Sequence, residues 1–325
     1  ARLALEGLPW EYGDAAEMQR LSAKYAGADQ GKVTRVFGAN FIGRMSGKVV
    51  EAFVAKADLL AASPAYSNQS GVDWKTAAAS AAKVLNHIGG VDGMDPTGWT
   101  WYCNVDDIEK LSPTESPAEI LWRGERAKSL SLEEDNFPPT LYGNGRINPT
   151  QNLVDAFPML NGYPVSHLSG EYDENLPYAN SDPRLEAYIL YNGCKAGNTN
   201  KEIFTAADGT TNDALNKVVG RSTRTGYYLR KLLRQDISLD PNAKADQYHY
   251  TPRIRYTEIF LAYAEAANQA YGPQDKGGNG YSAYDVVKKL RHRAGIGRDN
   301  GDAYLESIKN DQAKIAELIR NERRI

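Results

Sequence analysis

Apolar residues recur at three- and four-residue intervals in two separate parts of the chain, and the pattern dissolves between them. From Met45 to Leu60, the positions Met45, Val49, Phe53, Ala57 and Leu60 form a stripe at helical spacing. Ser63-Pro64 ends it, because proline has no N–H for the helical ladder and restricts the residue before it. After a short polar loop, Asp73 stands where an N-cap belongs, ahead of a second helix carrying Trp74, Ala77, Ala78, Ala81, Leu85 and Ile88. These two alanine-rich segments predict an antiparallel helical hairpin over residues 44–88.

Helical order returns near the C-terminal end. The segment Pro252 to Asn268 predicts a helix opened by proline, with Tyr256, Ile259, Phe260, Tyr263, Ala267 and Ala270 on one broad apolar face. Its alanines let another helix approach closely. Gly272-Pro273 stops it, and a glycine-rich loop leads to a helix near Ser282 to Ala294 with Val286, Val287 and Leu290 inward and Gly295 as C-cap. A last helix is expected from about Asp302, carrying Leu305, Ile308, Ile315 and Leu318. Between the two helical parts, residues 89–247 are rich in Gly, Pro, Asn and Asp, and apolar runs are short, such as Glu119-Ile120-Leu121-Trp122 and Glu186-Ala187-Tyr188-Ile189-Leu190-Tyr191. A disordered segment lacks such aromatics and aliphatics, so this is read as folded, loop-rich structure with a few strands. The predicted fold class is mainly α: one domain over 1–325, with a tetratricopeptide-like scaffold and no strict repeat consensus, an irregular ligand-facing region over 89–247, and scaffold helices over 252–325.

Composition narrows the function. The 325 residues are 42% apolar and 24% charged, with a formal net charge of −3, which argues against a dedicated nucleic-acid binder. The basic run Arg221, Arg224, Arg230, Lys231 and Arg234, interleaved with Tyr227 and Tyr228, reads as a solvated strand or a salt-bridged edge rather than a single-strand binding face. No run approaches the ~20 apolar residues of a membrane span. Only Cys103 and Cys194 are present, and the sequence leaves their pairing open. His87, His167, His249 and His292 are scattered without ligand spacing, and the acidic clusters lack EF-hand alternation, so no metal ligands are assigned and no cofactor is expected; the sequence leaves open a calcium ion on loop carbonyls and carboxylates. No GxSxG elbow, HExxH or phosphate loop occurs. Glu258 and Glu265 lie on one helix face roughly 10 Å apart along the axis, near the spacing of an inverting glycosidase pair. Glycosidase carboxylates project from different elements across a cleft, so surface pairing, for instance Arg255 with Glu258, is the preferred reading.

Aromatic residues carry the binding chemistry. Tyr (20) and Trp (5) together far exceed Phe (7), and both combine a flat apolar face with a polar edge that suits sugar stacking. Trp99, Trp101 and Tyr102 follow the second helix in a Gly/Pro-rich loop. Were that stretch extended, Trp99 and Trp101 would point the same way and form a platform. A second loop, from Arg126 to Arg146, offers Phe137, Tyr142, Asn144 and Arg146. The candidate ligand-binding residues are therefore Trp99, Trp101, Tyr102, Arg126, Tyr142, Asn144 and Arg146; the competing reading anchors both tryptophans in the core.

A resemblance to a known family is carried by several blocks in order. They are Ser63-Pro64-Ala65-Tyr66 with Asp73-Trp74, Pro149 to Phe157 with Asn161-Gly162, and Asp182-Pro183-Arg184-Leu185. Arg224-Thr225-Gly226-Tyr227-Tyr228, the helix at Pro252 to Asn268, Arg291 to Ile296 and Asn321 to Ile325 complete the series. Together they resemble the SusD/RagB family of surface lipoproteins. The resemblance implies non-enzymatic capture of an oligosaccharide on loop aromatics at the outer-membrane surface, with micromolar to millimolar affinity. It implies a SusC-like TonB-dependent transporter as partner, covered by the scaffold helices as a lid, and attachment through a lipid anchor outside this sequence. Oligopeptide capture within the family and an all-helical glycosidase are the alternatives. Ala1 carries no leader or lipid-acceptor cysteine, and Glu317 to Ile325 stops in a helical pattern, so an internal piece of a longer protein is expected.

Overall fold

Acidic and hydroxyl side chains open most of the long helices, as their positions predict. The computed structural model describes residues 7–25, 29–111 and 115–325, so Ala1 lies outside the described residues. Its helices longer than four residues are α1 (Ala15–Lys24), α2 (Gln30–Phe37), α3 (Gly47–Ala62), α4 (Trp74–Asn86), α5 (Val105–Lys110), α6 (Ser131–Asn136), α7 (Pro183–Tyr188), α8 (Tyr256–Tyr271), α9 (Ala283–Arg293), α10 (Ala303–Ile308) and α11 (Gln312–Arg324). The strands are β1 (Ile120–Ser129), β2 (Ile189–Leu190), β3 (Lys195–Ala196), β4 (Lys201–Glu202), β5 (Tyr228–Leu229) and β6 (Gln247–Arg255). The fold is mainly helical with few, mostly very short strands.

Asp73 accepts the Thr76 N–H at 2.8 Å and starts α4, while Ser282 and Asp285 close a reciprocal capping box on α9. One apolar core joins α3, α4, α8, α9, α10 and α11, and its middle is alanine: Ala52, Ala55, Ala78, Ala264, Ala266 and Ala267 are wholly buried. The face of α3 that enters this core is not the predicted stripe. Val49, Ala52, Ala55 and Ala62 are buried, whereas Met45, Phe53 and Leu60 are exposed. Alanines permit the closest approach of a neighbouring helix, so α3 turns that side inward, and Phe53 lies instead against Trp122 with ring centroids 5.9 Å apart.

The other end of the chain also departs from its pattern. Residues 247–255 are strand β6, and α8 starts at Tyr256, four residues later than the proline predicts. β6 pairs antiparallel with β1, placing Arg126 opposite Tyr250 and Lys128 opposite Tyr248, with irregular register around Arg123 and Pro252. Proline is tolerated there because the ladder is already broken. The expected last helix is two: Asp302 caps α10, and Asp311 opens α11 by accepting the Lys314 N–H at 3.0 Å. Two smaller apolar clusters lie in the irregular region, one around Trp101, Tyr102, Tyr188 and Tyr250, the other around Phe137, Leu190, Ile203 and Tyr228.

Candidate functional site

Trp99 and Trp101 do not share a platform. Residues 96–103 are turns rather than a strand, fixed in part by Thr100 N–H donating to Thr97 O at 2.8 Å and Cys103 N–H to Thr100 O at 3.0 Å. The alternation that would align the two rings is therefore absent, and they enter different surroundings. Trp101 is buried, its ring 5.5 Å from Tyr250 and 5.7 Å from Tyr102, with the Arg255 guanidinium 5.6 Å from its centroid. Tyr102 is buried as well, donating its hydroxyl to Ala187 O at 2.6 Å. Trp99 is only partly buried, and its carbonyl accepts the Tyr188 hydroxyl at 2.7 Å.

Each tryptophan lines its own cavity. The first, of about 440 Å³, is aromatic: Trp101, Tyr102, Tyr248, His249 and Tyr250 line it with Ile108, Leu132 and Leu232, and Glu125, Ser129, Ser131 and Thr251 supply polar groups. An apolar lining with a few placed polar groups is the usual make-up of a small-molecule site. The indole Nε1 of Trp101 is buried with no hydrogen-bond partner among the described residues. An unpaired buried donor is costly. His249 sits on the same wall, 3.0 Å from the buried Glu133 Oε1 through Nε2 and 3.0 Å from Gln247 O through Nδ1. Burial pulls the His249 pKa down, but the Glu133 hydrogen bond and charge pull it up by more, so it stands above its ordinary value. The imidazolium form satisfies both acceptors.

The second cavity, of about 390 Å³, contains Trp99 and Tyr188, and Pro252 belongs to the walls of both. Behind it lies a buried ionic network. Glu119, at the start of α8, accepts the Thr257 N–H at 3.1 Å and pairs with Arg255 at 3.0 Å and Arg293 at 3.3 Å. It thereby caps a helix whose own N-cap residue, Arg255, provides no side-chain cap. Arg184 pairs with Asp182 and Glu322 at 2.7 Å each, and Arg291 joins Glu322 at 3.0 Å to Asp302 at 2.6 Å.

The remaining sequence candidates scatter. Arg126 lies in β1 rather than a loop; it donates to Ile108 O at 2.8 Å and covers the Tyr248 ring at 4.1 Å, which stiffens the aromatic cavity's wall. Tyr142 is exposed beneath Lys201, Asn144 is held through its backbone N–H to Glu134 O, and Arg146 pairs with Asp135 at 3.1 Å. None of these three lines either cavity. Phe137 belongs to the core. Sequence reasoning missed Tyr248, His249 and Tyr250, although tyrosines at alternate positions in Gln247-Tyr248-His249-Tyr250-Thr251 signal a strand face. The two glutamates weighed as a catalytic pair are each held by a cation, Glu258 by Lys56 at 2.7 Å and Glu265 by Arg323 at 3.1 Å. Arg255 pairs with Glu119, not with Glu258. Both cysteines are free thiols.

The comparisons with known proteins agree with this architecture. The SusD family matches residues 122–325, well over half the chain. The chain belongs to the SusD family. A SusD-like protein from Bacteroides fragilis NCTC 9343 shares the fold at a TM-score of 0.61 and 22% identity, over 95% of this chain and 55% of its own. A SusD-like carbohydrate binding protein from the same organism gives a TM-score of 0.60 at 19% identity, over 99% of this chain and 61% of its own. The chain thus spans 55% to 61% of the length of these two structures. No curated protein sequence matches it. No helix among the described residues is long and apolar enough to cross a membrane.

Proposed function

We propose that this protein captures an oligosaccharide without turning it over, and that the aromatic cavity beside Trp101 holds it. The observation that carries the reading is the cavity itself, lined by Trp101, Tyr102, Tyr248 and Tyr250 with the Ser129 and Ser131 hydroxyls. The ring faces meet the sugar's C–H surface, and its hydroxyls bond the serine hydroxyls. Membership of the SusD family and the fold shared with a protein described as carbohydrate binding support the ligand class. Glu258 and Glu265 are engaged by Lys56 and Arg323, which favours capture over hydrolysis. Delivery to a SusC-like TonB-dependent transporter from a lipid-anchored position on the outer membrane completes the proposal and rests on the family resemblance.

The test is Trp101→Phe, which replaces the two-ring indole on the cavity wall by a single ring. Calorimetric titration with the best-retained glycan is expected to show about fivefold weaker binding, the size of one aromatic contact. Unchanged affinity, with the variant folded as the parent by circular dichroism, removes this cavity from the account. Binding of oligopeptides in place of glycans assigns the cavity to peptide capture.

A further inference from the structure

One backbone outlier sits on the wall of the aromatic cavity. Of the seven non-glycine residues with positive φ among the described residues, four are Asn or Asp, which tolerate that region; Leu232, at φ 75°, is the only aliphatic one. The chain on both sides of it is held. The Arg230 and Lys231 N–H groups both donate to Tyr188 O at 2.9 Å, Leu233 N–H donates to Arg230 O at 3.0 Å, and Arg234 N–H donates to Glu133 Oε1 at 2.9 Å. Leu233 is wholly buried, and the Arg234 guanidinium is tied to Glu109 and Asp236. Between these anchors Leu232 is left 37% exposed, on the cavity wall with Ile108 of α5 and Leu132 of α6.

We propose that Leu232 is a specificity-determining residue of this cavity, and that the saccharide it selects carries a methyl group, as an acetamido or a 6-deoxy sugar does. The inference rests on the reading of the cavity as a saccharide site and names the class of sugar. A bulky side chain in the left-handed region costs free energy, and such outliers persist only where the surrounding structure fixes them; they cluster at active sites and ligand clamps. Here the anchored backbone keeps an apolar side chain on the cavity wall at a position where glycine would sit without strain. Tyrosine and tryptophan rings stack on the C–H face of any pyranose and discriminate little among sugars. Branched aliphatic side chains offer no flat face. Three of them from three separate parts of the chain, Ile108, Leu132 and Leu232, suit a compact apolar group instead. A hydroxyl set against them loses its water without gaining a partner, whereas a methyl group gains burial. The Ser129 and Ser131 hydroxyls, 2.9 Å apart, serve the polar edge of the same sugar.

The test is an NMR titration of the 325-residue chain with the methyl glycosides of glucose and galactose, their 6-deoxy counterparts and their 2-acetamido-2-deoxy counterparts. One methyl-bearing series is expected to bind about fivefold or more tightly than its parent sugar, the size of one buried methyl group, and which series does so tells a 6-deoxy from an acetamido ligand. Leu232→Met keeps an apolar side chain and is expected to keep the preference. Leu232→Ala and Leu232→Gly are expected to lose it while still binding the parent sugars. Leu232→Gly is also expected to melt at a higher temperature than Leu232→Ala, the reverse of the usual order, because it alone relieves the left-handed backbone. Equal affinity for methyl-bearing and parent sugars, a preference that survives in Leu232→Gly, or a Leu232→Ala variant that melts above Leu232→Gly overturns the proposal and leaves the saccharide reading standing. No binding of any of the six glycosides, or unchanged binding of all six in Trp101→Phe, overturns the saccharide reading and this proposal with it.

Discussion

Glu322 holds two arginines at once in a place with almost no solvent, and the stability of the C-terminal helices turns on it. Burial alone raises its pKa, but the charges of Arg184 and Arg291 lower it by more, so it stays ionised. Its contribution is present above the ordinary carboxylate range and is lost as pH falls through its lowered value. Glu322→Gln leaves two buried guanidinium groups short of charge and is expected to cost about 3–5 kcal/mol, read from urea unfolding. His249 behaves in the opposite sense. Its pKa is raised, so the stability it adds with Glu133 is full below about 6.5 and declines as pH climbs through the raised value. Melting temperature is expected to fall across that window in the parent and to stay flatter in His249→Gln; parallel curves contradict the pairing.

Among the elements, the decisive joint is between β6 and α8. Glu119 lies 138 residues before Thr257 yet caps the helix that Thr257 begins, and it collects Arg255 and Arg293 on the same carboxylate. Glu119→Gln keeps the shape and removes the charge. It is expected to cost about 3 kcal/mol or more by denaturant unfolding, whereas an isolated surface pair costs about 1 kcal/mol or less. This joint also marks the limit of what the sequence reveals. The α4 cap, the apolar face of α8 and the start of α9 are written in residues three or four apart, and local spacing is enough to find them. Glu119 has no local sign of its role, because its partners are far along the chain. The inward face of α3 was misread for a related reason: periodicity weighs large apolar residues, while close helix approach selected Ala52 and Ala55. Of the site, the Trp99 to Tyr102 segment was legible from its aromatics and loop position. That its turns would part the two rings into separate cavities depends on backbone hydrogen bonds that composition does not encode.

Across the whole molecule, a rigid alanine-packed scaffold carries an irregular region in which Trp99 and Trp101 face two chemically distinct cavities sharing Pro252. That arrangement suits a binding protein: the polar groups behind the cavities are largely tied into structure, and aromatic rings line the space in front of them. Capture without turnover is the central claim. Incubation with a panel of neutral and acidic oligosaccharides, followed by measurement of both retained ligand and released product, tests it most directly. Retention at micromolar to millimolar affinity with every glycan recovered intact is the predicted result. Release of shortened products, or no retention of any glycan in the panel, contradicts it.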